Sequence, residues 1–372
     1  MAVPKQTDIL VIGGGPAGLA AAIAARRKGF DVVVADAAIP PIDKACGEGL
    51  MPDSFPALQR LGVRLDRQNS FAFRGIRFID SERRVEADFP NGSGTAMRRT
   101  RLHQALVDRA EEVGIRMLWG TRVLSLDRGN VTLDDSRIAY RWLIGADGQN
   151  SHVRRWAGLD RVRFESRRFG FRKHYRIAPW TEHMEIHWGN GAQLYATPVS
   201  GSEVCVALIT RDSRIRLEQT LQAFPELSRR LAGAPATTVE RGAVTISRSL
   251  KRVFDGNTIL IGDASGSVDA ITGEGLCMAF HQAIALADAL AAGDLRTYQA
   301  AHRQLARCPH FMARIMLLLD HHPRLRARVM RSFVSEPEIF ANLLAMHVGS
   351  IEPAEFMLHG ILPLGRQILI AS

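Results

Sequence analysis

The 372-residue sequence predicts a mixed α/β fold in which a doubly wound nucleotide-binding unit is joined to an antiparallel sheet and a helical C-terminal segment. Three observations predict it. A β-branched run, Asp8 to Ile12, enters the glycine string Gly13-Gly14-Gly15-Pro16-Ala17-Gly18, and a helical pattern follows. Short strand-like runs separated by turn residues fill the middle of the chain. From Thr297 to Val348 apolar residues recur at helical spacing.

The first strand reads as a buried parallel strand because it is aliphatic throughout. Gly13 permits a tight turn, Gly15 lets backbone approach a pyrophosphate with no Cβ in the way, and Gly18 lets the helix pack close to the sheet. The helical pattern runs from Leu19 to Lys28 and ends at Gly29; a second strand, Asp31 to Ala35, closes on Asp36, which can accept hydrogen bonds from a ribose diol. Free N–H groups at the helix start suit phosphate charge. Three glycines at this spacing are weak evidence alone; the strand–turn–helix–strand context makes them a dinucleotide site.

Composition narrows the field. With 46% hydrophobic and 23% charged residues, the chain can bury a large core, and disorder, collagen and coiled coil are excluded as its main architecture. Five Lys among 48 basic residues leave Arg as the source of the +10 charge, and it is spread along the whole chain. A nucleic-acid binder would gather it on one stripe, so no nucleic-acid partner is expected. Four scattered Cys (Cys46, Cys205, Cys277, Cys308) form no C-x-x-C, which fits a reducing cytoplasm. No metal-ligand spacing occurs, and no metal is expected. The apolar stretch Ile9 to Ala25 carries glycines at its centre and lacks a basic leader, so it is not a signal peptide. No other run is long enough to span a bilayer. The expected location is cytoplasmic, at most peripheral to the inner membrane face.

Two more segments join the glycine string. Ile144-Gly145-Ala146-Asp147-Gly148-Gln149-Asn150-Ser151 is one; the strand Thr258 to Ile261 followed by Gly262-Asp263-Ala264 is the other. Beyond the latter, Thr272-Gly273-Glu274-Gly275 opens a long apolar helix to Leu290. Together these segments resemble the FAD-binding flavoprotein family that includes aromatic hydroxylases, flavin halogenases and geranylgeranyl reductases. The resemblance implies a discontinuous FAD-binding domain (1–70, 95–160 and 245–295), a substrate-domain sheet (71–94 and 161–244) and C-terminal helices (296–372). It implies that Asp147 lies under the dinucleotide, that Asp263 holds a ribityl hydroxyl, that Arg99 contacts the cofactor and that Val123 stands at the adenine contact. Gly273, Glu274 and Gly275 would set a helix N-terminus at the flavin's pyrimidine edge, where it stabilises negative charge.

Lys44-Ala45-Cys46-Gly47-Glu48-Gly49-Leu50, with the Gly-Glu-Gly of 273–275, is most similar to the geranylgeranyl-reductase-like branch. That implies Cys46 and Gly47 near the flavin, with Cys46 a flavin-facing acid or a packing residue. The branch's aromatic substrate segment is absent, since the stretch here reads Leu194-Tyr195-Ala196-Thr197-Pro198-Val199. The halogenase Trp-x-Trp-x-Ile-Pro segment is missing as well. No second G-x-G-x-x-G unit appears, so NAD(P)H is expected as a transient donor, or a partner reductase supplies electrons.

In the sheet, Arg168 to Ile177, His183 to Trp188, Gln193 to Val199 and Val204 to Thr210 read as strands, with Met184, Ile186 and Trp188 on one face. His174 and Tyr195 are the candidates there for orienting or deprotonating a substrate hydroxyl, with Tyr175 and His187 beside them. The C-terminal helices are expected to cover the substrate domain, with a weak membrane-surface contact as the alternative. The first expectation for function is NAD(P)H- and O₂-dependent hydroxylation of a hydrophobic, phenolic or polyketide-type molecule. The alternatives are double-bond reduction of geranylgeranyl-reductase type and a flavin-binding accessory role.

Overall fold

The computed structural model describes residues 3–352 and 356, apart from 128 and 135. The rest of the expected C-terminal segment, 353–372 without Phe356, lies outside the described residues.

Strand Gln6–Ile12 is the centre of an eight-stranded sheet. Val32–Asp36 and then Arg116–Trp119 lie parallel on one side of it; Arg137–Gly145 and then Thr258–Leu260 lie parallel on the other. Successive residues of the central strand serve opposite faces, as the two-residue period requires. Ile9 and Val11 pack into a cluster with Leu19 and Ile23 of helix Pro16–Arg27 and Phe280 and Leu286 of helix Gly275–Ala292. Leu10 and Ile12 pack with Val131, Ile138 and Val153 on the far side. The sheet is therefore covered on both faces. Each large apolar side chain taken fully out of water contributes about 1.5–3 kcal/mol. Gly275–Ala292 is long and apolar enough to cross a membrane, and here it is a core helix packed against Pro16–Arg27.

A seven-stranded sheet forms the second unit, in the order Arg241–Leu250, Val162–Arg176, Glu203–Thr210, Ala192–Ser200, His183–Trp188, Gly75–Ile79, Arg84–Asp88. All of its pairs are antiparallel except His183–Trp188 with Gly75–Ile79. Arg241–Leu250 crosses the boundary expected at 245: it is an edge strand of this sheet, hydrogen-bonded along Val162–Arg176. Phe71–Phe73 also departs from the expectation, joining Gly49–Leu50 and Gly94–Ala96 in a small three-stranded sheet.

Helices Arg307–His321, Pro323–Ser335 and Pro337–His347 close over one face of the seven-stranded sheet. Pro323 and Pro337 sit at first helical positions, where the missing N–H costs nothing. Met312, Met316, Phe333 and Phe340 pack there with Phe78, Met184, Ile186 and Trp188. The other face packs on Leu217–Leu221 and Pro225–Leu231, which bury Leu194, Val206 and Leu208. Buried ion pairs pin the C-terminal helices in place. The Arg168 guanidinium, 3% exposed, donates to Gln193 Oε1 at 2.6 Å and lies 3.4 Å from Asp269 Oδ1 and 3.5 Å from Asp320 Oδ2. Gln193 also donates to Asp320. Charges buried this deeply are tolerated only because each has partners.

Candidate active site

One cavity of about 1020 Å³ runs from the glycine string to the C-terminal helices. Its first half is built from backbone. Gly13 has φ +109°, and a Cβ there would lie 2.4 Å from the Ala146 carbonyl oxygen. A Cβ on Gly18 would lie 1.8 Å from the Gly13 oxygen, so the helix cannot approach the turn with any larger residue. Gly15 has no protein atom within 4 Å of where its Cβ would stand; it faces the cavity. Asp36 closes the loop, its Oδ2 accepting from Gly14 N at 2.6 Å and its Oδ1 from Ala38 N at 2.7 Å. His103 braces the loop from beneath. Its Nε2 meets the Gly14 carbonyl at 2.8 Å, which makes that nitrogen the donor, and its Nδ1 accepts from Ile42 N at 3.3 Å. Burial lowers the pKa of this neutral ring.

Arg99, Val123, Asp147, Asp263, Gly273 and Gly275 all line the same cavity. Two of them carry buried polar atoms with no partner in the protein, Arg99 Nε and Asp147 Oδ1. The other Asp147 oxygen accepts from His152 N at 2.7 Å and Val153 N at 3.2 Å, which fixes the carboxylate. Asp263 is met by Lys44 Nζ at 3.2 Å. Glu274 differs from its neighbours: its side chain turns into the protein, 5% exposed, and does not line the cavity.

Cys46 and Gly47 line the cavity too, on a stretch held by a network the sequence reading missed. Glu48 sits at φ +64°, a left-handed conformation uncommon for a residue with a side chain. Its Oε1 accepts from Arg99 N at 2.9 Å and its Oε2 lies 2.6 Å from His174 Nε2. Arg172, which can only donate, reaches His174 Nδ1 at 3.1 Å, so Nδ1 accepts and Nε2–H donates to Glu48. Arg172 also donates to Asp43 at 2.5 Å. His174 is thus fully buried behind the Cys46–Glu48 stretch and does not line the cavity; it positions Glu48 and touches no ligand space. The Cys46 sulfur accepts from Glu48 N at 3.4 Å.

Spacing along the chain is a poor guide to clustering in space. Glu48, His174 and Cys205 converge within 4.8 Å, as do Asp53, Cys277 and His281, although the sequence shows no metal-ligand spacing.

The second half of the cavity is an apolar chamber between the seven-stranded sheet and the C-terminal helices. Met51, Phe78, Met184, Ile186, Met316, Phe340 and Leu344 form its wall. Tyr195 reaches the wall, but its hydroxyl donates to the Ile271 carbonyl at 2.8 Å, and burial pushes its phenol pKa up. His347, absent from the sequence reading, completes the wall; burial pulls its pKa down to about 4. Tyr175 and His187 lie off the cavity: burial pushes the Tyr175 pKa up to about 12, and His187 bonds Glu185 at 3.1 Å.

A glycine cradle that a Cβ would fill, two cavity-lining residues that each carry an unpartnered polar atom and an adjoining apolar chamber define a dinucleotide-cofactor protein with a separate place for substrate. The chain belongs to the FAD binding domain family, whose model matches residues 6–295. It is 32% identical over 324 residues to a menaquinone reductase of Mycobacterium tuberculosis, covering 79% of each chain. It is 28% identical to digeranylgeranylglycerophospholipid reductase 1 of Methanopyrus kandleri, over 73% of this chain and 76% of the relative. A 3-hydroxybenzoate 6-hydroxylase of Polaromonas naphthalenivorans is also 28% identical, over 77% of this chain and 80% of the relative.

The residues fit FAD. Gly15 and the start of helix Pro16–Arg27 would take the pyrophosphate, Asp36 and Asp263 the sugar and ribityl hydroxyls, and Arg99 and Asp147 would line the dinucleotide's path. Bound there, FAD supplies two-electron redox chemistry. The protein's own part is to orient it and to keep water out of the chamber.

Proposed function

We propose that this FAD-dependent oxidoreductase reduces a carbon–carbon double bond in an apolar, isoprenoid-type substrate, with electrons delivered by NAD(P)H or by a partner reductase. One observation carries the reading: the chamber beside the cofactor half is walled by methionines, aliphatic chains and Phe residues. Methionine is flexible and polarisable and accommodates irregular apolar ligands. The names of two relatives, a menaquinone reductase and a digeranylgeranylglycerophospholipid reductase, support the same substrate class. The C-terminal helices serve this function as the chamber's roof, which accounts for their apolar face without a membrane.

A second reading is hydroxylation of a phenolic or polyketide-type molecule, as in the hydroxylase relative. It is favoured by Tyr195 and His347, polar side chains that line the cavity. The two reactions differ in product. The FAD-loaded protein is reduced without oxygen, then mixed with a polyprenyl quinone or a phenol, with and without O₂. We expect a product that gains two hydrogens from the prenylated compound in the absence of O₂. A product that gains an oxygen atom, formed only with O₂, establishes hydroxylation instead. Protein that holds FAD but turns over neither class without an added partner is the accessory case.

A further inference from the structure

Beneath the cavity floor lies a second group of titratable residues, distinct from the Glu48 network. Glu274 precedes helix Gly275–Ala292, between the two glycines that line the cavity. It is 5% exposed, and its Oε2 has no hydrogen-bond partner among the described residues. His347 closes helix Pro337–His347, is 7% exposed, and lines the chamber. Its Nδ1 also has no partner among the described residues and stands 3.7 Å from Glu274 Oε1. Two elements from opposite ends of the domain thus bring two unsatisfied polar groups face to face at the wall of the reaction chamber.

Hydrogen-bond accounting shows what the pair needs. A carboxylate and a neutral imidazole nitrogen are both acceptors, and leaving two buried acceptors unpaired costs about 1–3 kcal/mol each. One proton removes both deficits: a carboxylic acid O–H can donate to Nδ1 after a small side-chain rotation. The surroundings favour the proton's presence. Burial pushes the Glu274 carboxyl well up, and its charged neighbour is a second carboxyl, Asp53, rather than a cation. The other titratable groups packed around it are Cys277 on its own helix and Cys308 on helix Arg307–His321; burial raises both thiols, which feel Glu274 and Asp53 as negative neighbours. Asp53 is half-buried, its Oδ2 accepts from the Cys277 thiol at 3.0 Å, and the half-buried His281 hydrogen-bonds its backbone carbonyl at 2.9 Å.

We propose that Glu274 and His347 are a proton-transfer pair for the chamber, with Glu274 holding the proton at rest and His347 carrying it to the cavity wall. The inference rests on the reductase reading for the proton's destination, though not for the pair itself. Saturating a C=C bond adds one hydride and one proton. Reduced FAD held in the cofactor half would supply the hydride to one carbon, becoming oxidised; the pair would supply the proton to the other as the C=C π bond breaks, two C–H bonds would form, and Glu274 would be left as a carboxylate. A proton from solvent restores it. Glu274 acts through His347 and is a positioning residue; His347 lines the cavity, and its ring also hydrogen-bonds the Thr272 backbone, a contact it must leave to reach substrate.

The test reads the pair by infrared difference spectroscopy on the FAD-loaded protein, and separately by single turnover after anaerobic reduction. Wild type should show the C=O stretch of a protonated, buried carboxyl at pH 7, sensitive to D₂O. Glu274→Gln should remove it, and His347→Gln, which leaves the carboxyl in place, should shift it. Product formation should fall about 100-fold in Glu274→Gln, the low end for loss of a proton donor, with partial recovery in Glu274→Asp. No protonated-carboxyl band in wild type, or a band untouched by both variants, overturns the pair. A correct band with unchanged turnover in Glu274→Gln overturns its role in proton delivery. Wild-type protein that reduces no double bond fails the reductase reading, while the band still decides the pair.

Discussion

The two halves of the cavity are made in different ways. The cofactor half is shaped by backbone: Gly13, Gly15 and Gly18 form it, His103 braces it, and a few side chains such as Asp36 and Asp263 stand ready for hydroxyls. The chamber half is side chain, assembled from the small sheet's neighbour Met51, strands Gly75–Ile79 and His183–Trp188, and the C-terminal helices Arg307–His321 and Pro337–His347. A backbone site is specified by a few positions in one short stretch. A side-chain site depends on packing between segments hundreds of residues apart. The first tolerates almost no substitution at its glycines; the second can change shape and keep its fold.

Four experiments break or sharpen that contrast. The largest effect is expected at Arg168→Met, which removes the buried cation between Asp269 and Asp320 and leaves Asp269 only the Ile271 N–H, while Asp320 keeps Gln193 and Arg211. Breaking such a network costs about 3–5 kcal/mol, so the thermal midpoint should fall sharply and the chamber roof should loosen first, read by hydrogen exchange in helix Arg307–His321. Acid comes next. Burial holds His302 and His347 neutral, each with its pKa near 4. The unfolded chain takes up protons near pH 6.5, so stability is complete above that value and is lost as pH falls toward 4, by about 3 kcal/mol for each histidine. Denaturant titrations of His302→Phe against wild type between those limits check the slope, which the variant should flatten.

Third, Gly18→Ala and Gly15→Ala separate packing from binding. The Gly18 change drives a Cβ into backbone and should cost about 1–3 kcal/mol of stability with loss of FAD on gel filtration. The Gly15 change meets no protein atom, so the apoprotein's melting point should hold while FAD affinity drops about tenfold, an amount worth roughly 1.4 kcal/mol. An apoprotein destabilised equally by both would erase the distinction. The smallest change in the fold is expected from Met316→Trp, which fills the chamber: prenylated ligands should bind at least about tenfold more weakly, with FAD content unaltered.

The same contrast explains what the sequence disclosed. The strand–turn–helix at 6–27, Asp36, and the 258–275 segment could be read because their signal is local: glycine where a side chain cannot fit, and an apolar strand before it. The expected boundary at 245 divides strand Arg241–Leu250 because its partner, Val162–Arg176, is fixed by pairing across some eighty residues, which no local pattern records. Glu48 lay in a motif already singled out, yet its left-handed backbone and its bond to His174 appear only once the sheet is assembled. His174 looked like a substrate-facing base for the same reason that Glu48 did not: strand position shows a face, but not what covers it. His347 sits in an apolar helix, and nothing nearby in the chain marks it as a cavity residue.

The central claim is the division of one cavity into a backbone-built cofactor half and an apolar substrate half. Its most direct test is a crystal structure with FAD and a non-reducible prenylated ligand bound together. The account predicts the dinucleotide along Gly13–Gly18 and Asp263, with the prenyl chain among Met184, Met316 and Phe340. A prenyl chain bound outside that chamber, or FAD reaching into it and filling it, would contradict the account.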